Sequence, residues 1–123
     1  MACILVIDDH DELRGTLRAI LEGAGYEVRE ASNGREGLAC CQAHAIDLVI
    51  TDLLMPEQEG LETIQQLRTI QPIPKIIAMS GGGQTGQLDF LHVATVFGAD
   101  RTLQKPMRAR DLLTAVQSLL RGP

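Results

Sequence analysis

The stretch VITDLLMPEQEG, residues 49–60, decides how the chain is read. An apolar run ends on one carboxylate, Asp52, and a turn with Met55, Pro56 and then Gly60 follows. Upstream, DLVITD (47–52) is short and continuously apolar before its acid, the pattern of a strand covered on both faces. ACILVI (2–7) has the same character and runs into Asp8 and Asp9. KIIAMS (75–80) ends on Ser80, and RTLQK (101–105) on Lys105. YEVREA (26–31) alternates with polar residues, which suits a strand near a sheet edge.

Helical spacing fills the intervals. Leu13, Leu17, Ile20 and Leu21 predict a first helix closed by EGAGY, and NGREGLACCQAH (33–44) a second with Leu38 and Cys41 inward. Leu61, Ile64 and Leu67 mark a third, ended before Pro72 and Pro74. A fourth carries Leu88, Leu91, Val93, Val96 and Phe97 up to Gly98, with more apolar surface than one helix on a sheet needs. Leu112, Leu113, Val116, Leu119 and Leu120 form the closing helix. Strand and helix alternate about five times, so the expected class is α/β, a parallel sheet with helices on both faces. No repeat or internal linker interrupts the pattern, and residues 1–123 read as one domain. The terminal RGP reads as frayed, or as the point where a longer chain was cut.

Bulk properties narrow the function. Aromatics are only 2% of the chain, so the core is aliphatic. Eleven basic against sixteen acidic residues give a net charge of −5, a poor balance for direct nucleic-acid binding. No apolar stretch approaches the roughly 20 residues that span a bilayer, and no charged-then-apolar leader is present. Cys3, Cys40 and Cys41 form no CxxC and read as reduced, buried or half-buried thiols of a cytoplasmic protein.

In a parallel sheet the carboxyl ends of all strands share one edge, where open α/β sheets bind ligands. Asp8, Asp9, Asp52, Ser80 and Lys105 therefore converge. Each alone has an ordinary reading, a helix cap, a turn former or a surface charge, but all five fall on that edge. Two unit charges about 4 Å apart interact by about 4 kcal/mol at an effective dielectric of 20, so clustered carboxylates shift a pKa or hold a cation. Hard oxygen donors suit Mg²⁺. Such an ion beside Lys105 makes a positive pocket in which Asp52 can attack phosphorus and become an acyl phosphate.

Together, ILVIDD, DLVITDLLMP with the later Gly60, IIAMS and LQKP resemble, in order and spacing, the receiver domain of two-component response regulators. The resemblance spans essentially the whole chain. It implies a doubly wound, flavodoxin-like five-stranded sheet of order 2-1-3-4-5, as in chemotaxis receivers. It implies that Asp52 accepts a phosphoryl group from a sensor histidine kinase or phosphotransfer protein. Asp9, Asp52 and the backbone carbonyl of Leu54 would ligate Mg²⁺, with Asp8 acting through water. Ser80 would swing onto the phosphoryl oxygen, Lys105 would pair with it, and the Lys105–Pro106 bond would be cis. A downstream effector or output domain would read the face made by the fourth helix, fifth strand and fifth helix, which can also pair two copies. Such a protein signals by catalysing its own phosphorylation and slow dephosphorylation, without turnover in the usual sense.

Two positions depart from the family pattern. Thr102 stands where an aromatic rotamer switch is usual, and Met107 replaces a common Phe. Transmission is then expected from the fourth helix, hinged at SGGGQTG (80–86), together with Ser80 and Thr102. Leu54 and Gly82 offer no polar side chain to orient water, so phosphoryl loss should be slow.

Three rivals are weaker. GGGQTG (81–86) matches a dinucleotide loop, but after the wrong strand, and DDHDE after the first strand would repel a phosphate. A phosphatase of the haloacid dehalogenase type needs a DxD pair on the first strand and a cap domain. A receiver-like module that never phosphorylates would have no reason to keep the acidic trio. His10, His44 and His92 read as ordinary surface or packing histidines.

Overall fold

The computed structural model describes residues 1–53, 59–80, 94–95 and 97–121. Five strands form one parallel sheet: β1 (Cys3–Ile7), β2 (Glu27–Ala31), β3 (Leu48–Asp52), β4 (Lys75–Ser80) and β5 (Arg101–Gln104). Their order is β2-β1-β3-β4-β5, with every neighbour pair parallel. Helices α1 (Asp11–Gly23), α2 (Gly34–Ala43), α3 (Glu59–Leu67) and a C-terminal helix (Ala109–Arg121) connect and cover it. The edge position expected for YEVREA is where β2 lies. β5, the other edge, stops at Gln104, so Lys105 is the first residue beyond it.

The unbroken apolar runs follow from burial on both faces. Period 2 sends Ile4 and Val6 of β1 to one side and Leu5 and Ile7 to the other. Ile4, Val6, Leu48, Ile50, Ile77 and Met79 meet Leu17 and Leu21 of α1 and Leu112 and Val116 of the C-terminal helix. Leu5, Ile7, Val49, Ile76 and Ala78 meet Cys41, Ile64 and Leu67 from α2 and α3, with Ala94, Ala99 and the half-buried Phe97. Both layers are almost wholly aliphatic.

Local chemistry fixes the helix ends. Asn33 caps α2, its side chain accepting the Glu36 backbone N–H at 2.9 Å, and Glu36 reaches back to the Ser32 N–H at 2.9 Å. After α1 the chain turns through Gly25 at φ 97°, a left-handed value that favours glycine. Most of the expected fourth helix, including Leu88, Phe90, Leu91, Val93 and Val96, lies outside the described residues, as do the 81–86 loop and the terminal Gly122 and Pro123. Ala94 and Thr95 are helical, and the Gly98 N–H closes on the Ala94 carbonyl at 3.1 Å.

Candidate functional site

The register pairs Ile7 with Thr51, so Asp8, one step past β1, stands level with Asp52, the last residue of β3. The two side chains are 0% and 2% exposed. Buried carboxylates so placed need a counter-charge. Lys105 supplies it, its Nζ lying 3.1 Å from Asp8 Oδ2 and 3.2 Å from Asp52 Oδ2. The lysine comes from the far edge because its own N–H donates to the Ser80 carbonyl at 2.7 Å, and its peptide to Pro106 is cis, the isomer the resemblance implied. Residues 97 positions apart in the chain thus share one hydrogen bond.

The second oxygen of Asp8 shapes the loop before α1. Asp8 Oδ1 accepts the His10 backbone N–H at 2.8 Å, and the His10 ring Nδ1 lies 3.2 Å from both Asp8 Oδ1 and Asp9 Oδ1. Arg14 Nη1 donates to the Asp8 carbonyl at 2.7 Å, while its remaining nitrogens hold Asp11 at 2.7 Å and Glu30 at 2.9 Å. Arg18 and then Arg14 hold the Glu30 carboxyl below its usual pKa. Asp8, Asp9, His10 and Asp52 each offer a ligand atom within 4.8 Å of the others, close enough for one ion.

Ser80, at the tip of β4, is fully buried, and its Oγ has no hydrogen-bond partner among the described residues. A buried hydroxyl in that state is costly unless a ligand or water completes it. Thr102 is half-buried in β5 opposite Ala78 and is not part of the cluster. Leu54, whose carbonyl the resemblance assigns to the metal, and Gly82 lie outside the described residues. Met107 packs on the α1 side of the sheet.

One expectation is extended. His10 is a surface histidine, its side chain 69% exposed, but its Nδ1 also lies against two of the acids, a contact the sequence reading did not assign. The signal was its place directly after the acidic pair, where the chain must turn back to start α1. Arg14 was also missed as the side chain that ties the loop down. The cysteines are free thiols, with Cys3 and Cys41 pushed up to about 11, first by burial. Asp100, just before β5, accepts the Ile76 backbone N–H at 2.8 Å and so ties the start of β4.

Comparison with known proteins points one way. A family model for the response regulator receiver domain matches residues 4–117. The transcriptional regulatory protein SrrA of Staphylococcus aureus is 31% identical over 118 residues, 96% of this chain and 47% of that protein. The chain thus spans about half the length of the curated relatives it matches. A response regulator receiver domain protein from Clostridium thermocellum superposes with a TM-score of 0.88 at 35% identity, over 98% of this chain and 95% of the other. The receiver domain of NtrX from Brucella abortus gives 0.89 at 26%, over 98% and 99%.

Proposed function

Because the chain belongs to the response regulator receiver domain family of two-component systems, we propose that Asp52 is its phosphoacceptor. An Asp52 oxygen attacks the phosphorus of a phosphohistidine on a sensor histidine kinase or phosphotransfer protein. The P–N bond breaks, its electron pair stays on the imidazole nitrogen, and an acyl phosphate forms. The observation that carries this reading is the Lys105 ammonium shared between the two buried carboxylates of Asp8 and Asp52. Nothing in the packing of the sheet requires that arrangement.

The donor chemistry of the acidic cluster fits a divalent cation, and the unpartnered Ser80 hydroxyl beyond it fits a phosphoryl oxygen. Asp9 and Asp52, with the Leu54 carbonyl, would hold Mg²⁺ directly, and Asp8 would hold it through water. Bound there, Mg²⁺ supplies the positive charge that lets an anionic phosphoryl group approach a carboxylate. Lys105 turns from pairing two carboxylates to pairing the phosphoryl oxygens. Ser80 donates a hydrogen bond to one of them, and Thr102, on β5 opposite Ala78 and two residues back along the strands from Ser80, feels the movement. The 88–97 segment, β5 and the C-terminal helix then present the changed face to an effector or to a second copy.

Residues 1–123 act in this reading as one receiver domain whose chemistry is stoichiometric. With Leu54 and Gly82 unable to orient water, dephosphorylation is slow. A cytoplasmic setting agrees with the free thiols and with the absence of any helix, among the described residues, long and apolar enough to cross a membrane. The charge of −5 argues against this chain contacting nucleic acid itself.

The phosphatase alternative is tested by substrate choice. Acetyl phosphate with Mg²⁺ should label the protein once per chain, while p-nitrophenyl phosphate should be turned over negligibly. Sustained release of nitrophenol over many turnovers would overturn the receiver chemistry in favour of a hydrolase.

A further inference from the structure

Resting on that reading of the acidic site, we propose that His10 is a metal-specificity residue. Its ring nitrogen joins the carboxylates and turns an oxygen-only Mg²⁺ site into a mixed site that favours first-row transition-metal ions, with Mn²⁺ as the probe.

The geometry starts from one atom. His10 Nδ1 lies 3.2 Å from Asp8 Oδ1 and 3.2 Å from Asp9 Oδ1. A nitrogen lone pair and two anionic oxygens do not hold such a triangle unaided. One cation bound to Nδ1 and Asp9 Oδ1, with Asp8 joined to it through water, would hold them together. Adjacent ligands around an ion with bonds of about 2.1 Å stand about 3 Å apart, close to the observed spacing. Asp52 falls in the same group, within 4.8 Å.

The ring is held in this position from below. The His10 backbone N–H donates to Asp8 Oδ1 at 2.8 Å, and His10 is the N-cap residue of α1 at φ −91°, ψ 107°. Its side chain makes no capping bond, so the ring is not engaged in starting the helix. The side chain is 69% exposed, which leaves the rest of the ring open to water while Nδ1 faces the acids. Arg14 fixes the Asp8 carbonyl, so the loop that carries all three residues is tethered.

Imidazole nitrogen distinguishes metals that carboxylates alone do not. Mg²⁺ prefers oxygen donors, whereas Mn²⁺ and the ions after it in the Irving–Williams order gain from a nitrogen.

The test uses the protein as it stands, wild type beside His10→Ala and Asp52→Asn. Calorimetry measures Mg²⁺ and Mn²⁺ binding, and electron spin echo envelope modulation of the Mn²⁺ complex reports a directly bonded nitrogen. Expected are nitrogen modulation in wild type, its loss in His10→Ala, and a fall of about tenfold in Mn²⁺ affinity with little change for Mg²⁺. Circular dichroism of His10→Ala should match wild type, because the ring is exposed and caps nothing. Mn²⁺ binding that weakens in Asp52→Asn but shows no nitrogen modulation in wild type would overturn the role of His10 and leave the acidic site standing. Binding of neither ion to wild type would overturn both.

Discussion

At the scale of single residues, the site is a problem of charge solved by one lysine. Asp8 and Asp52 are buried at neighbouring strand tips, and Lys105, itself 15% exposed, touches both. Lys105→Met keeps most of the side-chain packing and removes the ammonium. Leaving buried carboxylates without their partner should cost about 3 kcal/mol of stability, read in urea denaturation. Millimolar Mg²⁺ should restore part of that loss in the variant. A stability unchanged by the substitution, or insensitive to Mg²⁺, would show that the lysine is not the counter-charge. Asp8, Asp52 and Ser80 were legible because each closes an apolar run, where period and polarity change together, and Lys105 because it closes the expected fifth strand within LQKP. His10 and Arg14 were not, because their contacts depend on a loop folding back over β1, and no periodicity encodes that turn.

At the scale of elements, α2 lies so close to β1 that its Gly37 touches the core. A Cβ at this glycine would fall on the fully buried Ile7 side chain, 2.9 Å from Cγ1 and nearer still to Cδ1. Alanine is favoured over glycine by about 1 kcal/mol inside a helix, but overpacking costs about 1–3 kcal/mol. Ile7 has no free space to give, so Gly37→Ala should destabilise by about 1 kcal/mol. Gly15, on the exposed side of α1, has nothing within 4 Å of such a Cβ, and Gly15→Ala should stabilise by about the same amount. Chemical denaturation of both variants reads the contrast, and equal signs would contradict this packing. Element type was legible throughout the described residues, since strands and helices here differ in period. Strand boundaries shifted by single residues at element ends, as at Ala2, Tyr26 and Lys105. The tight seat of Gly37 was hidden, because the spacing of α2 shows which face turns inward and not how near it comes.

At the scale of the whole molecule, the site exists because of strand order. Alternation predicts a parallel sheet but not which strands are neighbours, and the order came from resemblance to a family. With β1 between β2 and β3, successive connections leave opposite faces of the sheet, and the crevice between β1 and β3 opens at their carboxyl ends. That topology brings Asp8 and Asp52 side by side from positions 44 residues apart, and Lys105 reaches them across β4. The central claim is that these converging strand tips make Asp52, and no other residue, accept a phosphoryl group. Intact-mass spectrometry after acetyl phosphate and Mg²⁺, comparing wild type with Asp52→Asn, tests it most directly. One added phosphoryl group on wild type and none on the variant is the predicted result; equal labelling of both, or of neither, would contradict it.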